Sequence, residues 1–425
     1  MVRVSVLKRD PIDKLLEGDL GFHGADTGHP RHALHAFAAK FPPQLPAWFI
    51  EGLTQHGDVV LDPFMGSGTT VLEASILGRK AMGIDIDPLA VLMARTKVAS
   101  LDPQRIEILG STVITQATAR MTALHRLDAQ LASRFSDPKD RDFINYWFLP
   151  HTAQELEALI AEIESIEEPQ YRQFFLIVFS SIIVTKSGGV SRARDLAHSR
   201  PHRVDAKIPR SAIDSFNRRL KKLLQTWAPI AISYPPSIAQ EDIRSLSSPD
   251  EYVDLIVTSP PYANAIDYVR ANKFSLIWMG QSLKDLALLR ANYIGTERHK
   301  LYDWTAFPGR VQKILSTLDN KDHAKAGLLG QYFADMRSAM VAMFRVLKTG
   351  KAAFVVVGTS TMRGIDVNTP HSLASIAETV GFVVRGVIER SLDRDRRMMP
   401  ARWGRQDSGI EQRIHTEHVI ALTKP

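Results

Sequence analysis

Asp62-Pro63-Phe64-Met65-Gly66-Ser67-Gly68-Thr69-Thr70 follows the apolar run Val59-Val60-Leu61, and far downstream Thr258-Ser259-Pro260-Pro261-Tyr262 follows Leu255-Ile256-Val257. A short, continuous apolar run that ends in turn residues reads as a strand buried on both faces of a parallel sheet. Open α/β sheets place their ligands in loops at the carboxyl ends of such strands. Working outward from the first run, residues 59–63 read as a strand and 68–77 as a helix. Residues 81–84 read as the next strand, closed by Asp85-Ile86-Asp87-Pro88, with a helix then running to about residue 98. That is a βαβ unit.

From residue 101 to 227 the pattern turns helical. Residues 105–134 have helical spacing, and Thr152, with Glu155 three residues on, reads as an N-cap. Residues 171–185 are apolar and aromatic enough to be buried, and Gly188-Gly189 ends them. The α/β pattern resumes near residue 230, with a strand at 253–257, an amphipathic helix at 331–347 and a β-branched strand at 352–357. Residues 383–388 and 418–422 form a closing antiparallel pair. The expected fold is α/β: a Rossmann-like, doubly wound, mostly parallel sheet with a C-terminal antiparallel strand pair and a helical insertion. Residues 1–100 and 229–425 would then be two parts of one catalytic domain, with 101–228 as the insertion.

The chain has 425 residues, 44% of them hydrophobic, ample for a real core. The absence of cysteine excludes disulfides, cysteine zinc sites and thiol nucleophiles. The fourteen histidines show no metal-ligand spacing, so no metal is expected. No apolar stretch is long enough to span a bilayer, and the first residues carry no signal-peptide pattern, so a cytoplasmic protein is expected. The formal net charge of +7 is concentrated. Lys186, Arg192, Arg194, Arg200, Arg203, Lys207, Arg210, Arg218, Arg219, Lys221 and Lys222 are opposed in that stretch only by Asp195, Asp205 and Asp214, a local net charge of +8. Such a segment is a candidate phosphate-contacting surface. A second candidate is residues 293–325, with Arg298, His299, Lys300 and Trp304.

In the first loop the glycines allow a tight turn and a close approach of backbone to ligand. A P-loop needs a lysine that is absent here, and a dinucleotide fingerprint needs a third glycine where Val71 stands. Asp85, at the end of the next strand, is placed to accept hydrogen bonds from ribose hydroxyls. A nucleoside without phosphates fits both observations. In the second loop, two prolines stiffen the backbone and turn the Pro260 carbonyl outward. The Ser259 hydroxyl is a second acceptor, and Tyr262 offers a ring on which a flat base can stack. Two acceptors on the two N–H groups of an exocyclic amine favour a pyramidal nitrogen and stabilise the charge that develops as it attacks a methyl donor.

At these residues the chain resembles the N4-cytosine/N6-adenine DNA methyltransferase family, over about residues 30–100 and 229–425. Asp62, Pro63, Phe64, Gly66, Ser67, Gly68, Thr69 and Thr70 match its cofactor motif, and Asp85 its acidic ribose-binding position. Ser259, Pro260, Pro261 and Tyr262 match its catalytic tetrapeptide. Lys40, Phe41 and Pro42, in the segment from His35 to Pro43, match the strip that covers the methionine end of S-adenosylmethionine. Asp242 matches the position that contacts the cofactor adenine. The resemblance implies S-adenosyl-L-methionine as cofactor, double-stranded DNA as substrate and a flipped-out target base. A cognate restriction endonuclease is an implied partner, and no membrane partner is. Serine at the head of the tetrapeptide is typical of enzymes acting on the cytosine N4 amine, aspartate of those acting on adenine N6. The missing cysteine rules out C5 methylation, which needs a thiolate. Two alternatives stand beside this: an RNA methyltransferase of the guanine-N2 type, which uses a related tetrapeptide, and a silent DNA-binding paralogue, which would have lost the glycines or the tetrapeptide.

Overall fold

The computed structural model describes residues 10–25, 28–37, 40–185, 187, 189–194, 201–263, 268–295, 304–391 and 416–425. Seven strands form the main sheet: β1 (Val59–Asp62), β2 (Lys80–Asp85), β3 (Ser237–Gln240), β4 (Val253–Thr258), β5 (Leu347–Gly358), β6 (Val383–Ser391) and β7 (Thr416–Thr423). Their spatial order is β6-β7-β5-β4-β1-β2-β3. From β5 to β3 the neighbours run parallel, while β7 is antiparallel to both β5 and β6. The expected mostly parallel sheet and its closing antiparallel pair are therefore both present.

Side-chain alternation explains why the sheet is covered twice. Ala353, Val355 and Val357 of β5 enter one apolar core with the helix His323–Val346. Ala352, Phe354 and Val356 enter another, with the helices Gln44–Leu53 and Thr69–Ile76. Phe354 stacks on Phe49 there, ring centroids 3.8 Å apart. Every residue of β1 and β4 is buried, as their unbroken apolar runs require.

Residues 101–228 contain six helices among the described residues: Pro103–Arg120, Leu124–Arg134, Pro138–Trp147, Pro150–Glu164, Pro169–Ile183 and Ala212–Thr226. Four of them open on proline, whose fixed φ suits a first helical position. Thr152 is not a cap, because the helix already starts at Pro150 and Thr152 is buried inside it. Glu155 instead serves the last helix of the insertion, accepting hydrogen bonds from the Ser211 hydroxyl and the Ala212 N–H at the start of Ala212–Thr226. The helix foreseen at 331–347 starts earlier, at His323, where the Asp322 side chain accepts from the Lys325 N–H. These insertion helices share one core with Leu89 and Met93 of the helix Pro88–Val98 and with Phe274, Ile277 and Trp278, which follow the second loop. Trp278 is fully buried, edge-on to Phe135 and Phe148. Among the described residues no helix is long and apolar enough to cross a membrane.

Candidate active site

Between β1 and β4 the chain reverses its direction of travel across the sheet. From β1 it steps outward through β2 to β3, then returns to the other side of β1 to lay down β4. Such a switch point opens a crevice at the carboxyl ends of the two strands. The glycine turn leaves β1 there, and the Ser-Pro-Pro-Tyr corner leaves β4 beside it. Residues far apart in sequence thus become neighbours through one pair of parallel strands.

The two loops are tied together beneath the crevice. The Thr258 hydroxyl donates to Asp62 Oδ1 (2.6 Å), and the Thr70 hydroxyl to the Val257 carbonyl (3.1 Å). Asp62 also accepts from the Phe64 N–H, and burial pushes its carboxyl up to about 6. At 2% exposure Asp62 supports the turn from below. Pro63, Ser67, Gly68, Thr69 and Thr70 are buried as well, while Phe64 and Gly66 reach the surface of the turn. The Ser67 hydroxyl accepts from the Lys97 ammonium, itself buried and held well below the usual lysine range by desolvation. Gly68 has φ +76°, and a Cβ there would lie 2.7 Å from that of Ala94, so only glycine lets the two helices approach.

Asp85 closes the opposite wall. Its Oδ2 accepts from the Gly66 N–H (2.8 Å) and its Oδ1 from the Asp87 N–H (2.9 Å). Burial, with the nearby Asp87 carboxylate second, pushes the Asp85 carboxyl up to about 7. Asp87 caps the helix Pro88–Val98 and accepts from Asn272 Nδ2 (2.6 Å), which lies on the helix Tyr268–Leu276 after the Ser-Pro-Pro-Tyr corner. Asp242 follows β3 and is half-buried. Arg244 donates to both of its oxygens, and to Asp335 on the helix His323–Val346 (2.9 Å).

The segment before β1 also reaches the crevice. A Cβ on Gly66, whose φ is +47°, would meet Phe37 at 2.9 Å, so Phe37 lies against the turn. Lys40 donates to the His32 carbonyl (2.7 Å), Phe41 is buried and Pro42 half-buried. His35 is buried and pushed down to about 4, hence neutral. Its Nε2 meets the Ser180 hydroxyl (2.9 Å), which donates to Ser275 Oγ (2.9 Å). Three buried side chains thus join this segment, the insertion and the helix after the Ser-Pro-Pro-Tyr corner.

At that corner Ser259 is half-buried and Pro260 buried. The Tyr332 hydroxyl donates to the Pro261 carbonyl (3.0 Å), and the Tyr262 hydroxyl to Glu417 Oε1 (2.9 Å). Neither Tyr332 nor Glu417 was legible from spacing, since each lies on a different element that only the fold brings near. Thr258, adjoining the tetrapeptide, was the partner most open to sequence reading.

The basic stretch divides. Arg194, Arg210, Arg218, Lys221 and Lys222 are exposed. Arg192 and Arg203 pair with Asp205, and Arg203 also lies over the Tyr146 ring. Lys207 donates to the Ser187 and Ala193 carbonyls, and Arg219 to Ser181 Oγ and the Ala33 and Leu34 carbonyls. Arg192, Arg203 and Lys207 brace the insertion internally, and Arg219 ties it to the segment before β1. Arg200 and Lys186, and residues 296–303 of the second candidate surface, lie outside the described residues.

The chain is similar to several known methyltransferases. The N6/N4 methyltransferase family model, described as DNA methylase, matches residues 21–95. The Type II methyltransferase M.MvaI of Kocuria varians is 24% identical over 375 residues, covering 82% of this chain and 81% of that protein. The Type II methyltransferase M.AvaI of Anabaena variabilis is 24% identical over 371 residues, covering 77% and 74%. A solved S-adenosylmethionine-dependent methyltransferase from Methanosarcina mazei superimposes with a TM-score of 0.32 at 11% identity, covering 88% of this chain and 96% of that one.

Proposed function

Because this chain belongs to the N4-cytosine/N6-adenine DNA methyltransferase family and uses S-adenosylmethionine, we propose that it methylates the N4 amine of a cytosine flipped out of double-stranded DNA. The observation that carries the reading is the crevice itself: a glycine turn and a Ser-Pro-Pro-Tyr corner on adjacent parallel strands at the switch point. Serine at the head of the corner supports cytosine over adenine. The reading includes host modification in the cytoplasm, with a cognate endonuclease as counterpart.

The turn fits this cofactor. Gly66 lets the Phe37 ring lie directly against the turn, where a Cβ would collide with it, and Asp85 is the acidic group beside it. Phe64, Gly66 and Asp85 would hold the nucleoside, Asp242 the adenine, and Lys40, Phe41 and Pro42 the methionine end. The cofactor supplies an electrophilic sulfonium methyl. Ser259 and the Pro260 carbonyl would accept the two amine hydrogens, and Tyr262 would stack on the base. Positioning supplies the acceleration, with no covalent bond to the enzyme.

Methylation of plasmid DNA with labelled S-adenosylmethionine, followed by nucleoside mass spectrometry, tests the reading. N4-methylcytosine is the expected product. N6-methyladenine moves the target to adenine, and no transfer to DNA overturns the proposal.

Two further outcomes are expected. A carboxylate accepts from ribose hydroxyls better than a neutral acid does. With Asp85 pushed up to about 7, cofactor affinity should rise with pH, by up to about tenfold per unit below that value. Titration calorimetry from pH 5.5 to 8 checks this, and Asp85→Asn should flatten the profile. Neutralising the exposed Arg218, Lys221 and Lys222 should lower the salt slope of DNA binding by about 0.9 for each phosphate that is no longer neutralised. An unchanged slope would remove this face from the DNA interface.

A further inference from the structure

The aromatic ring of the catalytic corner is held by a relay that starts in the last strand of the sheet. Glu417 stands near the start of β7, in register with Gly358 of β5 on one side and Arg390 of β6 on the other. Because β7 runs antiparallel to β5, that register brings Glu417 to the carboxyl edge of the parallel strands, the edge that carries Ser259 to Tyr262. The Tyr262 hydroxyl donates to Glu417 Oε1 (2.9 Å), and Arg390 Nη1 donates to Oε2 (2.7 Å). Arg390 Nε donates in turn to the Leu20 carbonyl (3.0 Å). Glu417 and Arg390 are 7% and 3% exposed. A buried ion pair is a poor source of stability compared with packed apolar side chains. Its value here lies in where it points: out of the sheet, at a phenol whose ring belongs to the reaction site. The Tyr332 hydroxyl on the Pro261 carbonyl ties the same corner from the opposite direction, from the helix His323–Val346.

We propose that Glu417, backed by Arg390, is a positioning residue that fixes the plane of the Tyr262 ring, and so the height at which a stacked target base presents its amine to Ser259. This rests on the proposed function and adds a role for the C-terminal antiparallel pair. Without the bond from its hydroxyl, the ring loses the tether that sets its plane, and about 1 Å of misplacement costs on the order of a hundredfold in rate. The expectation therefore falls on turnover, since the tether touches neither the cofactor turn nor the basic face.

The test measures methylation of DNA that the parent modifies, together with cofactor affinity and thermal unfolding. Its variants are Glu417→Ala, Glu417→Gln, Tyr262→Phe and the double variant Tyr262→Phe/Glu417→Ala. Glu417→Ala and Tyr262→Phe should each lower kcat about 10- to 100-fold, with cofactor affinity within about twofold of the parent. The double variant should be no slower than Glu417→Ala alone, because both changes cut one tether. Glu417→Gln should recover most of the rate, since its amide can donate to the Tyr262 oxygen while its carbonyl accepts from Arg390. If Glu417→Ala does not fold, Tyr262→Phe against Glu417→Gln still decides: the first slow and the second near parental supports the role. Parental kcat in Glu417→Ala or Tyr262→Phe, losses that multiply in the double variant, or no recovery in a cofactor-binding Glu417→Gln each overturn it. A parent that transfers nothing to DNA overturns the proposed function and this inference with it.

Discussion

Gly66→Trp is expected to weaken S-adenosylmethionine binding by at least about a thousandfold, the equivalent of roughly 4 kcal/mol, and to abolish methylation. Three properties of the position act together. Its φ of +47° lies in the left-handed region, which costs an L side chain roughly 1–2 kcal/mol. A Cβ there would stand 2.9 Å from Phe37, so even alanine must displace that ring, and an indole would fill the space above the turn. The Gly66 N–H also holds Asp85 Oδ2 at 2.8 Å, so moving the turn misplaces the acidic group as well. Calorimetric titration with the cofactor reads the first effect directly. Thermal unfolding should register the overpacking as a loss of about 1–3 kcal/mol. A variant that binds and methylates like the parent would show that the turn is not the cofactor site.

Ser259→Ala should act on the other half of the crevice. Removing one of two acceptors from a developing positive charge is expected to lower kcat by about 10²–10³, the range found when a single preorganised polar group is deleted. Cofactor affinity should be unchanged, because the serine leaves β4 while the glycine turn leaves β1. The lattice of bonds beneath, Thr258 to Asp62 and Thr70 to the Val257 carbonyl, involves no atom of the Ser259 side chain. Single-turnover methylation with saturating DNA and cofactor isolates this effect. Equal losses in rate and in cofactor affinity would instead make Ser259 a general support of the crevice.

The two predictions divide one site into a binding wall and a chemical wall, and the division follows from the strand pair. In β1 and β4 the apolar runs leave no choice of environment: each strand must be buried on both faces, and each loop must emerge at the carboxyl edge. Asp62 and Thr258 end those runs with polar groups that satisfy each other, so the loops do not move independently. The raised carboxyl of Asp62 reflects that burial.

The insertion was legible as helix but not as architecture. Its spacing announced amphipathic segments, and the burial of residues 171–185 followed from their composition. That these helices would share a core with Trp278 and Met93, beside the crevice, is a tertiary fact. The basic stretch illustrates the same limit. Charge counting treats Arg219 and Lys222 alike, yet Arg219 is turned inward to three oxygens while Lys222 is exposed. A helix with its apolar stripe against the core places nearby residues in different environments.

Sequence by itself determined the parallel strands, the glycine turn and the proline corner, because each rests on local pattern: unbroken hydrophobicity, permitted φ angles and a stiffened backbone. Only the tertiary structure decided which side chains serve them. Glu417, Arg390 and Tyr332 reach the corner through strand register and helix packing, and four of the basic residues are drawn away from solvent by carbonyls and carboxylates that no linear spacing reveals. Local preferences are written along the chain, whereas hydrogen-bond partners across a sheet are set only when its strands have paired.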